Sequence, residues 1–202
     1  MGTSTVDTVI ITKDNMPKNV TVLSIDVGIK NLSYCVLSVS NTINVLKWQN
    51  IQVTDECVKK ISMSSLTEQL LSTLEEYFDD TCFFDHVIIE NQPMLKNGQM
   101  KTVSVIIYTY FNMLKMHHGN ILDVRFVSAI NKLKCHTVSH NASIKSTYKD
   151  RKKASIELAK AHVEEYCPQL LTWYSQQIKK DDCADSLNQG IAFIKYTLKV
   201  GK

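Results

Sequence analysis

The sequence has no hydrophobic run long enough to span a bilayer. A spanning helix needs roughly 18 uninterrupted apolar residues, and the longest apolar stretches, such as Val103 to Met116, are broken by Ser, Thr, Asn and Lys. A soluble protein is expected. Residues 1–19 lack the basic start and apolar core of a secretory signal. They carry Asp7 and Asp14 but no Arg, which argues against a mitochondrial presequence. This segment reads as a loosely ordered leader, with room for one added strand at Thr8 to Thr12. There is no Cys-x-x-Cys pair among the six cysteines (Cys35, Cys57, Cys82, Cys135, Cys167, Cys183). That excludes the usual zinc spacing and suits reduced thiols acting as small hydrophobes. His136 and His140 stand four apart, but no Glu lies between them and no third ligand supports them.

What is present fits one globular domain over residues 20–202, with 44% hydrophobic and 21% charged residues. The formal charge of +3 decides little, but its distribution does more. Between Ile130 and Lys153 lie Lys132, Lys134, Lys145, Lys149, Arg151, Lys152 and Lys153, against Asp150 alone, a local charge of +6. Such a segment is either a solvated loop or a surface that meets phosphates.

Hydrophobic periodicity gives an element order. Val20 to Ile29 reads as a buried strand punctuated by Gly28, and Leu32 to Val39 and Ile43 to Trp48 as its partners in an antiparallel meander. Met63, Leu66, Leu70, Leu74 and Tyr77 mark a helix over Ser62 to Phe78. Phe83 to Glu90 is an apolar strand ending in an acid, and Ile121 to Val127 is a fifth strand. Helices are expected over Lys96 to His117, Lys149 to Tyr166 and Asp181 to Lys199. The last would bury Ala184, Leu187, Ile191, Ile194 and Leu198. Gln169 to Ile178 fits either a helix or an irregular segment. Three meandering strands followed by alternating helices and strands is the order of the ribonuclease-H-like α/β fold, a mixed five-stranded sheet with helices on both faces.

The acids carry the chemistry. Asp26 sits between Ile25 and Val27 in a strand too apolar to bury an unpaired carboxylate cheaply. A divalent metal or a lysine would compensate it. Glu90 ends a strand expected to lie beside the first. Asp182 and Asp185, three residues apart, share one helix face, although acids also favour helix N-termini through the macrodipole, and Asp181 is a candidate cap. Four carboxylates from three distant segments make a hard-oxygen set suited to Mg2+, with Mn2+ able to substitute. Two such ions, roughly 3.5 to 4 Å apart, are the apparatus of phosphodiester hydrolysis.

Three motifs in order carry a family resemblance. Ile25-Asp26-Val27-Gly28-Ile29-Lys30-Asn31-Leu32-Ser33-Tyr34-Cys35 resembles the first motif of the poxvirus and fungal mitochondrial Holliday junction resolvases, part of the wider RuvC-like group. Ile88-Ile89-Glu90-Asn91-Gln92-Pro93 is similar to their second, and Lys180-Asp181-Asp182-Cys183-Ala184-Asp185-Ser186-Leu187 to their last. The resemblance spans Val20 to about Phe193.

It implies a homodimeric, magnesium-dependent endonuclease that nicks opposed strands of a four-way DNA junction, in recombination or in viral concatemer processing. Asp26, Glu90, Asp182 and Asp185 are the implied catalytic and metal-binding residues. Lys132, with Lys134 as alternative, is the implied functional lysine, and Lys152 the basic residue opening the third helix. A cytoplasmic viral enzyme is the implied setting. The helix bearing Val103, Ile107, Tyr110 and Leu114 is a candidate dimer interface, or packs simply against the sheet. The competing functions are a ribonuclease H, a transposase-type strand-transfer enzyme or another ribonuclease-H-like nuclease acting on RNA–DNA hybrid or branched DNA, an actin-like or sugar-kinase ATPase sharing Asp26-Val27-Gly28 but needing a second lobe, and a non-catalytic nucleic-acid-binding module, which would gain nothing from four acids facing phosphates.

Overall fold

A computed structural model describes residues 19–93, 97–129 and 147–199. The notional strand at Thr8 to Thr12 lies outside them. Five strands form one sheet of order β3-β2-β1-β4-β5. β1 (Val20–Asp26), β2 (Asn31–Val39) and β3 (Ile43–Gln52) are the antiparallel meander. β4 (Phe84–Glu90) pairs parallel with β1, and β5 (Ile121–Val127) pairs parallel with β4. The helices are α1 (Met63–Tyr77), α2 (Gly98–His118), α3 (Tyr148–Tyr166), α4 (Leu171–Gln176) and α5 (Lys180–Phe193).

The period-2 alternation of a strand divides the core. Leu23 and Ile25 of β1 join Val87 and Ile89 of β4 under α1 and α2, packing on Leu66, Leu70, Val103 and Ile107. Val22 and Ile88 face the other way and pack against α3, α4 and α5. Both faces of the central strands are therefore covered, which explains their nearly continuous apolar sequences.

Local chemistry sets the boundaries. Ser62 accepts from the Ser65 amide to start α1, Asn97 accepts from the Met100 amide to start α2, and Thr147 with Asp150 forms a reciprocal capping box on α3. Gly119 ends α2 at φ 63°, a left-handed position that suits glycine. The first strand stops at Asp26 instead of running on to Ile29. The chain folds back there so tightly that a Cβ on Gly28 would lie 2.0 Å from the Asn31 carbonyl oxygen. Asp26 is thus the strand's last residue and half-buried, not an interior acid. The third strand runs longer than expected, to Gln52, because its pairing with β2 continues to Asn31.

The structure decides one open reading of a helix face and corrects another. Val103 and Ile107 of α2 are fully buried against the protein's own sheet, and the Tyr110 hydroxyl donates to the Phe78 carbonyl at 2.5 Å. Leu114 packs on the same core, so this face of α2 follows the second of its two readings, packing against the protein's own sheet. The exposed stripe of α2 lies opposite and includes Val105, Thr109, Met113 and Met116. The terminal helix does not bury one face alone. Ser186, Asn188, Gln189 and Gly190 are buried along with Leu187 and Ile191, because α5 is clasped between the sheet and α3. A Cβ on Gly190 would come within 2.5 Å of Leu37 Cδ1 and 3.1 Å of Ser24 Cβ, so glycine permits this close approach. The regular helix ends at Phe193, and Ile194–Leu198 continues as a wider π-type turn, leaving Leu198 half-buried.

His162 lies on the buried stripe of α3, and its Nε2 finds no hydrogen-bond partner among the described residues. Burial first, and then the Lys195 charge, pushes its pKa down to about 4, with Glu165 opposing. An unfolded histidine titrates near 6.5. Between these values the unfolded chain binds more protons, so stability falls as pH falls through that window. The loss expected by pH 4 is about 3 kcal/mol. Urea unfolding of wild type and His162→Gln across pH 4 to 7 should show a flatter acid limb in the variant. Parallel limbs would remove His162 as the cause.

Candidate active site

Three chain segments deliver the acids to one place. Ile25 of β1 is paired in parallel register with Ile89 of β4. Asp26 and Glu90, the next residues, therefore end side by side on strands about 4.8 Å apart. Both follow the parity of Val22, Ser24 and Ile88, which face α5. Gln189 of that helix reaches across to the Ser24 hydroxyl at 3.2 Å and the Ile25 carbonyl at 3.1 Å. The opening turns of α5 then bring in Asp182 and Asp185. The N-terminal half of α5 is held to the sheet by Trp48, whose indole N–H donates to the Cys183 carbonyl at 3.1 Å, and by the Ser33–Ser186 hydroxyl pair at 3.0 Å.

Asp26, Glu90, Asp182 and Asp185 all line a single open cleft of about 460 Å³, with Arg151 and Lys152 of α3 on the same lining. The convergence expected from the sequence is found at this level. Among the described residues, no three acidic, histidine or cysteine side chains are gathered tightly enough to form a finished metal cage. Mutual repulsion of carboxylates is a physical reason for such a set to stand apart. Its chemistry nonetheless fits a hard divalent cation: every donor is a carboxylate oxygen. Burial, and then the neighbouring charges of Asp181 and Asp185, raise the Asp182 pKa above the usual carboxylate range, while Lys179 and Lys152 oppose the shift. A cation would relieve that cost.

Asp181 does not cap the helix. The cap position is Lys179, without a side-chain cap bond, and Asp181 instead accepts from the Lys152 ammonium in a close ion pair. A charged donor on the facing helix is a stronger partner than backbone amides. The pairing raises the Lys152 pKa and lowers that of Asp181, overcoming the upward push of burial on the carboxyl. Lys152 also sits 5.1 Å from the Tyr148 ring centre.

Of the other basic residues singled out in the sequence, Lys149 and Lys153 are exposed on α3, and Lys153 lies 3.9 Å from Glu157. Lys132, Lys134 and Lys145, like His136 and His140, lie outside the described residues. Five cysteines, Cys35, Cys57, Cys82, Cys167 and Cys183, are free. Burial, and then the nearby carboxylates Asp182, Asp181 and Asp26, push the Cys183 thiol up to about 12, countered by a Ser33 hydrogen bond. Such a thiol is inert at neutral pH.

Sequence reasoning passed over residues that hold the acids in place. Gln92 donates to Glu90 at 2.8 Å, and Ser155 of α3 donates to Asp185 at 2.6 Å. The available signal was a serine on the helical stripe that also carries Leu158, Ala159, His162 and Val163.

A five-stranded mixed sheet of this order, with acids at the ends of its two central parallel strands and on a helix packed over them, defines a ribonuclease-H-like protein of the kind that includes the RuvC-like resolvases. Within that class the chain belongs to the Poxvirus A22 protein family, whose model matches residues 20–198. It is 26% identical over 179 residues to the Holliday junction resolvase of fowlpox virus, covering 88% of this chain and 94% of that protein. It is 29% identical over 159 residues to the uncharacterized protein L451 of Acanthamoeba polyphaga mimivirus, covering 72% of this chain but only 38% of that longer protein. The fowlpox resolvase, solved with Holliday junction DNA, superposes with a TM-score of 0.61 at 23% identity over 88% of this chain and 99% of its own. The yeast mitochondrial Holliday junction resolvase Ydc2 follows at 0.59 and 20% identity, over 89% and 81%. These likenesses establish a shared fold.

Proposed function

We propose that the protein is a metal-dependent endonuclease that resolves four-way DNA junctions. The observation that carries this reading is the meeting of Asp26, Glu90, Asp182 and Asp185, from three distant segments, in one cleft bordered by Arg151 and Lys152. Family membership and the fowlpox resolvase similarity support the choice of branched DNA as substrate. The four carboxylates would hold Mg2+, or Mn2+ in its place, and two such ions would supply an activated water and stabilisation of the leaving oxygen. The protein's own part is to orient the acids and to draw phosphates in. Arg151 and Lys152 contact the backbone beside the cleft, and the charge on Lys152 is secured by its raised pKa. Lys132 is the residue we assign to offset charge developing at the scissile phosphate. Host cytoplasm is the setting we assign to it, after the viral relatives it resembles.

A four-way junction offers two equivalent strands, and a two-fold dimer offers two clefts to meet them. The exposed stripe Val105, Thr109, Met113 and Met116 of α2 is the surface we assign to that dimer. Sedimentation should give a dimer for wild type and a monomer for Met113→Glu; a variant that stays dimeric moves the interface elsewhere.

The reading is tested by incubating the protein with a synthetic four-way junction, a linear duplex and an RNA–DNA hybrid, each with and without Mg2+. Paired nicks in the junction alone, and only with the metal, are expected. Cutting of the hybrid with the junction intact would replace this reading with a ribonuclease H.

A further inference from the structure

Behind Asp185 stands a buried hydrogen-bond chain joining α3 to α5. Asn188 is fully buried, and its Nδ2 donates to the Ser155 carbonyl at 2.9 Å and to the Ser155 hydroxyl oxygen at 3.0 Å. Ser155, only 4% exposed, has that hydroxyl 2.6 Å from Asp185 Oδ1.

The inventory of donors and acceptors fixes every direction in this chain. A serine hydroxyl has one proton and two lone pairs, an ionised carboxylate only accepts, and an amide nitrogen only donates. Asn188 therefore occupies a lone pair of Ser155, and the serine proton is directed to Asp185. The amide itself cannot turn over, since that would press its oxygen against the Ser155 carbonyl. A hydroxyl that would otherwise rotate is locked into one orientation.

We infer that Ser155, locked by Asn188, is a positioning residue that sets the orientation in which the Asp185 carboxylate meets a divalent cation. The inference rests on the metal-dependent reading proposed above and adds to it a support for one ligand. Without the serine, Asp185 would lose one of the contacts that order it, and the ordering left to the arrival of the ion would be subtracted from the binding. Such supporting hydrogen bonds are worth roughly 10- to 100-fold in metal affinity. Packing alone could also explain a buried serine between helices, so the test must separate affinity from stability.

Mn2+ is titrated into the full chain without DNA, by calorimetry or electron paramagnetic resonance, with unfolding midpoints followed in parallel by circular dichroism. Asp185→Asn sets the reference loss. Ser155→Ala should remain folded and bind Mn2+ about 10- to 100-fold more weakly. Asn188→Ala, which releases the serine rotor, should weaken binding in the same direction. Ser155→Ala added to Asp185→Asn should cause no further loss, since the serine acts through that carboxylate. Unchanged Mn2+ affinity in Ser155→Ala, beside a clear loss in Asp185→Asn, would overturn the inference and leave the metal site standing. A loss that persists in the double variant would also overturn it. No loss in Asp185→Asn itself would remove the metal reading and this inference together.

Discussion

Asp26→Asn is expected to lose junction cleavage by about a thousandfold, because the carboxylate contributes several kcal/mol to holding the reacting charges and each 1.36 kcal/mol is a factor of ten. The substitution keeps the shape of a half-buried residue at the end of β1, so the sheet should be undisturbed. Junction binding should survive, since affinity depends mainly on phosphate contacts from basic residues. The upward shift in melting temperature on adding Mg2+ should shrink, as expected when a ligand of the native state binds less tightly. Cleavage rates, gel-shift affinities and melting curves on the same preparation decide the matter. Full cleavage by the folded variant would sink the catalytic assignment. Loss of binding together with cutting would point to a structural role for Asp26.

Trp48→Ala should have the largest effect on stability. Its ring, 5% exposed on β3, stacks on Tyr174 at 4.9 Å and lies 5.1 Å from Trp173. Its N–H is shared between the Cys183 carbonyl and the Ser186 hydroxyl. One side chain therefore ties both α4 and α5 to the sheet. Truncating a large aromatic in such a site costs about 3–5 kcal/mol, a large share of the roughly 5–15 kcal/mol typical of a domain. Trp48→Phe keeps much of the stacking and loses the donor, at a cost of about 1–2 kcal/mol. Urea unfolding followed by far-ultraviolet circular dichroism checks both. Asp182 and Asp185 flank Cys183, so Mn2+ affinity should fall with the alanine variant. A stability change below about 1 kcal/mol would mean that the helix is held by other contacts.

Asp26 and Glu90, singled out in the sequence, end neighbouring strands and line one cleft. Each follows a run of buried residues, Val22 to Ile25 and Val87 to Ile89, and a carboxylate after such a run is a local signal. The sequence reading put Asp26 three residues short of the strand's end, because it could not see Asn31 folding back over Gly28. At α5 the local signal misled. Acids in a helix's first turn suggest capping, yet Asp181 is taken by Lys152, 29 residues away. The inward face of α2 was legible as apolar, but not what would cover it; its own sheet does.

By itself, the sequence determined the order of strands and helices, the apolar stripes and the acids that end them. All of these are encoded in spacings of a few residues. Tertiary structure alone decided which acids share a cleft, that Gln189 reaches Ser24 across 165 residues and that Ser155 supports Asp185 across 30. The physical reason is that periodicity specifies which face of an element is apolar, while a side chain's partner depends on which elements are packed against it, and how closely.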